Sequence, residues 1–227
     1  IGPKVYKTGV LAQFVALGIS LQLLYEVGAT GAPAIRIPLF SSTWSGVLQF
    51  GLYIDRLTAV MLTLITGISL LISIFSIRYM QQESGRARFH ALLALTSFTL
   101  IGMVASANLL MLFIFWQLLS WLLSLLAYNF THTPTIRGAF KTYTMLRVGD
   151  VAFLSGIVLA YHLYGTLDFQ QLFSQAAEVP VAFSLWPGGG FSINAVTVVT
   201  VLIFIGAMSK SAQIPMHLWL PDSLYAP

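Results

Sequence analysis

Between Leu57 and Ile77 the chain carries no charged residue, and between Leu109 and Ala127 it carries none again. A helix needs about 20 apolar residues to cross the hydrocarbon of a bilayer, and both runs are long enough. Val10–Tyr25, Phe89–Ala105 and Val151–Tyr164 bring the number of such runs to five, the last reaching full length only with a preceding helix over Thr142–Asp150. A sixth, Ile193–Met208, continues past Lys210. Lipid offers no partner to a main-chain N–H or C=O, so spanning segments of this kind fold as helices. The expected fold is an all-α polytopic membrane protein. Hydrophobic residues make up 57% and charged residues 8% of the chain, whereas soluble domains carry about 25% charged residues. The lipid bilayer is therefore the first partner.

The net charge of +4 reflects topology and not a nucleic-acid footprint, because the basic residues sit at span edges. With the N-terminus inside, Lys4, Lys7, Arg78, Arg86, Arg88, Arg137, Lys141 and Arg147 fall on one side, against Arg36 and Arg56 on the other. The positive-inside rule places the first side in the cytoplasm, and the expected location is a bacterial inner membrane. The chain starts at Ile1, so its natural N-terminus is expected upstream, and no cleavable signal peptide is evident. The outer loop from Gly28 to Asp55 holds strand-like pieces at Ile35–Phe40 and Val47–Ile54, which predict a short extracytoplasmic hairpin around Ser41–Gly46. In the loop Gly165–Gly190, Leu167, Phe169, Leu172 and Phe173 fit either an interfacial amphipathic helix or a packed surface loop. Gly188–Gly190 marks a turn before the sixth span. The chain divides into a first span with its outer loop, residues 1–56, and the first part of a helical bundle, residues 57–227.

With no cysteine, thiolate-held haem and iron–sulfur clusters have no ligands here. His90, His132, His162 and His217 show no paired metal spacing. No phosphate-cradling glycine loop, Gly-x-Ser-x-Gly elbow or dinucleotide fingerprint occurs. No cofactor and no catalytic chemistry are expected of this chain, which leaves proton or ion handling.

The polar residues inside the apolar runs are the candidates for that task. Lys210 lies after mostly apolar residues, where an ammonium costs at least about 2.5–3.5 kcal/mol. Snorkelling from a helix end is the bland alternative. Gln213 and His217 follow at i+3 and i+7, one polar stripe if the helix is unbroken, and Pro215 is expected to break it. Gln117 forms an i, i+3, i+7 stripe with Ser120 and Ser124, either as interhelical glue or as part of a polar route. Arg147 and Asp150, three apart, share a helix face, as an ion pair at the membrane edge or as a relay. His90 is expected at the membrane interface.

The strip Lys-Ser-Ala-Gln-Ile-Pro-Met-His-Leu-Trp-Leu-Pro-Asp, Lys210–Asp222, resembles the broken-helix signature of antiporter-like membrane subunits. These are the large proton-pumping subunit of complex I (subunit L or 5), the large Mrp antiporter subunit, and the membrane subunit of the inorganic-carbon transporter (DabB type). Arg147–Asp150, Tyr164–Phe169 and Leu52–Leu57 resemble further parts of the same pattern, so the likeness runs from about residue 50 to the end. It implies a longer bundle of inverted repeats, of which this chain is the first half. It also implies a proton-conducting, energy-coupling subunit of a multi-subunit complex, with Lys210 as proton carrier. Pumping members carry glutamate after the fourth-span tryptophan; here that position is Gln117, which cannot gain or lose a proton, so Asp150 or water is left to partner Lys210. Gln117, Ser120 and the ending Tyr225–Pro227 favour the carbon-transporter type, which implies a soluble zinc-binding partner resembling a carbonic anhydrase. The alternatives are a complex I subunit among redox partners, a cation antiporter with Asp150 at a Na⁺ site, and a structural scaffold.

Overall fold

The computed structural model describes residues 5–30, 33–41, 49–82, 85–128, 133–178, 182–184 and 192–223. Lys4, the hairpin tip, His132, Gly188–Gly190 and Tyr225–Pro227 lie outside them. The helices are α1 (Val5–Leu24), α2 (Arg56–Tyr79), α3 (Arg86–Val104), α4 (Leu109–Ala127), α5 (Thr133–Tyr164), α6 (Phe169–Glu178), α7 (Ala195–Lys210) and α8 (Leu220–Ser223). Five of them, α1 to α5, are long and apolar enough to cross a membrane. This is a multi-pass helical membrane fold.

Two boundaries differ from the sequence expectation. The fifth span is one unbroken helix of 32 residues that begins at Thr133, not at Thr142. Nothing in 133–150 breaks it: Pro134 falls in the first turn, where its missing N–H costs nothing. The sixth span stops at Lys210 and does not continue beyond it. Its 16 residues give about 24 Å of helix, short of the roughly 30 Å hydrocarbon core.

The packing follows lipid, not water, as the outer solvent. On α1 the apolar Leu11, Phe14, Val15 and Ile19 face outward, while Gln13 and Ser20 are buried. Gln13 Nε2 donates to Ser97 Oγ on α3 at 3.1 Å, and Ser20 Oγ lies 2.9 Å from Thr66 Oγ1 on α2. Between helices already surrounded by apolar chains, small and hydroxylated residues give close approach and bonds that lipid cannot compete for. His90, expected at the interface, is buried, with Tyr6 and Phe89 rings against it. The first turns of α1 and α3 lie side by side and cover it.

One end of the bundle is closed by main chain. Strands β1 (Ile35–Ser41) and β2 (Gln49–Ile54) pair antiparallel, Ile35 opposite Ile54 and Ser41 opposite Gln49. The hairpin expected from sequence is present, with a register shift between Pro38 and Phe40. Tyr53 N donates to Ala105 O at 2.9 Å and Ala107 N to Gly51 O at 3.0 Å, which ties the hairpin to the α3–α4 turn. Leu109 N then donates to Leu167 O at 2.9 Å and Phe169 N to Ala107 O at 3.2 Å, so the segment before α6 joins the same layer. Arg36 pairs with Asp168 across it. Of the two readings for 165–190, the helical one forms, as α6, with Leu172 buried and Phe173 exposed. A second short pair, β3 (Ala182–Ser184) and β4 (Ser192–Asn194), leads into α7. At the opposite end, Arg88 holds the final carbonyls of α4, Leu125 O at 3.0 Å and Tyr128 O at 2.9 Å.

Asn108 fixes where α4 begins. Its side chain accepts from Met111 N at 2.7 Å, and it is buried, so water cannot replace it. Asn108→Ala is expected to cost about 1 kcal/mol, read as a lower thermal midpoint of the detergent-solubilised protein.

Candidate functional site

The polar residues of α4, α5 and α7 meet at one place. Along α4, Trp116 and Ser120 are one helical turn apart and point to the same neighbours. Lys210 Nζ donates to Trp116 O at 2.9 Å and to Ser120 Oγ at 2.6 Å. It also lies 4.8 Å from the centre of the Trp116 ring, where the ring's negative face attracts a cation. As the last residue of α7, Lys210 stands where the helix dipole is negative. Lys210 is therefore not snorkelling to water at this end. It is drawn back onto α4.

Asp150 approaches α4 from α5. It is 3% exposed and accepts from Trp116 Nε1 at 2.7 Å and from Ser120 Oγ at 3.1 Å. Arg147 Nη1 lies 3.5 Å from Asp150 Oδ2 and donates to Gln117 Oε1. The guanidinium is stacked 4.8 Å from the Tyr143 ring centre, with Trp121 at 6.0 Å. Gln117 thus reaches Arg147, not Lys210. The carboxylate and the ammonium do not pair directly; the Ser120 hydroxyl stands between them.

Close helix packing makes this possible. A Cβ on Gly149 would lie 2.0 Å from Ser209 Oγ, and one on Gly206 would lie 2.7 Å from Phe153 Cβ. Only glycine at these positions lets α5 and α7 approach, which brings Asp150 and Lys210, each next to one of the contact residues, to the same stretch of α4.

The break after Lys210 is built differently from the expectation. Pro215 does not end the helix. Ser211 N still donates to Ala207 O at 3.0 Å; Ala212 then turns into the left-handed region at φ 49°, and Gln213 N donates to Met208 O at 3.1 Å. This is the Schellman way of stopping a helix, with alanine where glycine is usual. Trp219 Nε1 returns to bond Ser209 O at 2.9 Å, so another terminal carbonyl is satisfied. Pro215 lies in the following turn, ahead of a 3₁₀ turn over Met216–Trp219. The stripe Lys210, Gln213, His217 therefore does not form: Gln213 is exposed, and His217 is half-buried in the 3₁₀ turn with Nδ1 unpartnered.

Of the residues singled out in the sequence, Lys210, Asp150, Arg147 and Gln117 are brought together; Gln213, His217 and Pro215 are not. Trp116 was missed altogether as a site residue, and Ser120 was read as part of a stripe and as a family marker, not as a partner of Lys210. Their signal was the i, i+4 spacing of an indole and a hydroxyl opposite two expected charges. Among the described residues no group of three or more His, Asp or Glu is placed to hold a metal ion.

The fold and the site together define a class of multi-pass membrane bundle with a half-buried lysine at the end of a broken helix, met across a serine by a buried carboxylate. Residues 106–227 match the family model described as NADH:quinone oxidoreductase/Mrp antiporter, TM, and the chain belongs to that family. Residues 42–90 match the model for the N-terminus of complex I chain 5. The chloroplastic NAD(P)H-quinone oxidoreductase subunit 5 of Ranunculus macranthus is 32% identical over 223 residues, covering 95% of this chain and 29% of that protein. The chain thus spans less than a third of the length of that relative. Among solved structures, a chain of the archaeal membrane-bound sulfane sulfur reductase superposes with a TM-score of 0.80 at 23% identity, over 100% of this chain and 43% of that one. A chain of the Mrp complex from Dietzia sp. gives 0.74 at 16% identity, over 96% and 38%. The antiporter-like fold expected from the Lys210–Asp222 strip is the fold found.

Proposed function

We propose that this chain is part of a proton-conducting, energy-coupling subunit of a multi-subunit membrane complex, with Lys210 as the central proton carrier. The observation that carries the reading is Lys210 itself, half-buried at a helix break, held by α4 and linked through one hydroxyl to Asp150. Arg147 pairs with that carboxylate, and Gln117 holds Arg147 in place. The subunit lies in a bacterial inner membrane with its N-terminus cytoplasmic, in keeping with the clustering of basic residues.

The finer reading couples the proton flow to inorganic-carbon uptake through a soluble zinc-binding partner. Gln117 supports it, because an amide at that place removes the titratable group that redox-driven pumping members use there. The second reading, a subunit among the redox partners of a quinone oxidoreductase, is favoured by the 32% identity to subunit 5. Purifying the complex and identifying the bound subunits separates them: a zinc protein supports the first, flavin and iron–sulfur subunits the second.

Lys210→Ala tests the common part. Proton flux through the complex reconstituted in liposomes is expected to vanish while the subunits still co-purify. Wild-type flux in that variant would remove Lys210 from the route; loss of assembly without a specific loss of flux would make the chain a scaffold.

A further inference from the structure

We propose that Ser120 is the proton bridge of the site: its hydroxyl passes a proton between Lys210 and Asp150, which cannot exchange one directly. The proposal rests on Lys210 being a proton carrier, and it adds the group through which that proton leaves.

The geometry is directional. Lys210 Nζ has donors only, so at 2.6 Å it must donate to Ser120 Oγ. That occupies one lone pair of Oγ and leaves the serine's own hydrogen for another acceptor. Three acceptors lie in range: Asp150 Oδ2 at 3.1 Å, Asp150 Oδ1 at 3.3 Å and Trp116 O at 3.2 Å. A carboxylate is the stronger acceptor, because a hydrogen bond to an ionised group is roughly twice as strong as a neutral one. Ser120 is 0% exposed, so bulk water does not compete. The chain N–H···O–H···O⁻ is thus complete from ammonium to carboxylate.

Transfer along it balances without any further reagent. One N–H bond of Lys210 breaks as a new O–H bond forms on Ser120; the original Ser120 O–H breaks as an O–H forms on Asp150. The products are a neutral amine, an unchanged serine and a carboxylic acid. No alkoxide forms, and two opposite charges, the buried Asp150 and the half-buried Lys210, become two neutral groups. Arg147 stands 3.5 Å from Asp150 Oδ2 as its counter-charge. Its second tie, to Gln117 Oε1, gives it a place to stay when Asp150 is neutral. The charged groups on the three packed helices that face Ser120 are therefore Lys210, Asp150 and Arg147.

The test is proton flux through the whole complex in liposomes, with Ser120→Ala, Ser120→Thr and Lys210→Ala measured beside wild type. Alanine removes one oxygen from a buried site and keeps its shape. Ser120→Ala is expected to slow flux by about a hundredfold, the low end of what a positioned proton-transfer group contributes. Ser120→Thr, which restores the hydroxyl, is expected to recover most of it. Wild-type flux in Ser120→Ala with none in Lys210→Ala overturns the bridge and leaves the functional reading standing. Wild-type flux in both overturns the two together. Equal loss in the alanine and threonine variants also overturns the bridge, since packing alone then explains the effect. Should the alanine variant not assemble, Ser120→Cys carries the test, a thiol of similar shape and weaker hydrogen bonding: slowed flux supports the bridge and wild-type flux overturns it.

Discussion

Asp150→Ala is expected to lower the stability of the protein by about 3–5 kcal/mol and to stop proton flux, while Asp150→Asn stops flux at a smaller cost in stability. The carboxylate is 3% exposed and accepts from two donors, Trp116 Nε1 at 2.7 Å and Ser120 Oγ at 3.1 Å, with Arg147 Nη1 as its counter-charge at 3.5 Å. Alanine leaves the indole and the hydroxyl without their acceptor and the guanidinium without its counter-charge, in a region where water does not fill the gap. Asparagine keeps the shape and one acceptor oxygen, so the Trp116 bond survives. Its amide NH₂ replaces the oxygen that faces Ser120 and Arg147 and sets donors against a donor. It also cannot take up a proton. Thermal unfolding in detergent reads the first effect and flux in liposomes the second. If Asp150→Asn conducts like wild type, the carboxylate is no part of the route and Lys210 hands its proton elsewhere.

Most of the architecture was readable because lipid imposes a simple rule: spans such as Leu57–Ile77 and Leu109–Ala127 need only length and the absence of charge. The hairpin at residues 35–54 was readable from its strand-forming residues on either side of a turn. What escaped was set by three-dimensional packing. Pro215 looked like the helix breaker, yet the chain had already stopped at Lys210, because Ala212 takes a left-handed turn and Trp219 folds back on Ser209 O. No local pattern announces an alanine in that conformation. Gln213 and His217 share a face with Lys210 only on an unbroken helix, and the helix ends at Lys210. The burial of His90 near the start of α3 was not readable, because Tyr6, far away in sequence, covers it. Lys210, Asp150 and Arg147 were found because charge in an apolar run is costly wherever it sits. Ser120 and Trp116 were underweighted because hydroxyls and indoles are common in membrane helices, and only the meeting of α5 and α7 on α4 singles these two out.

That meeting depends on glycines in the α5–α7 contact, and at the tightest of them Gly149→Ala is expected to disrupt it. A Cβ there would lie 2.0 Å from Ser209 Oγ and 2.3 Å from Ser209 Cβ. The clash cannot be relieved by a rotamer alone, since the Cβ of Ser209 is fixed by its main chain. Nor is Ser209 free to retreat: it is 0% exposed, its Oγ donates to Gly206 O at 2.7 Å, and its carbonyl is held by Trp219. The helices must therefore separate, and overpacking of this kind costs about 1–3 kcal/mol or more. The larger consequence is positional. Gly149 precedes Asp150 and Ser209 precedes Lys210, so moving α5 from α7 draws both charged groups off Ser120 at once. Flux is expected to fall as far as in Lys210→Ala, with a lower thermal midpoint. Gly156→Ala, whose Cβ would meet Ile203 Cγ1 at 3.0 Å, Leu202 Cβ at 3.2 Å and Ile203 N at 3.3 Å, overlaps its neighbours far less and is expected to be milder. The double variant Gly149→Ala, Ser209→Gly returns the lost space and is expected to recover flux and stability together, since residues in contact couple. Wild-type flux and stability in Gly149→Ala alone would mean that α5 and α7 do not stand this close in the working protein, and that Lys210 and Asp150 do not share Ser120.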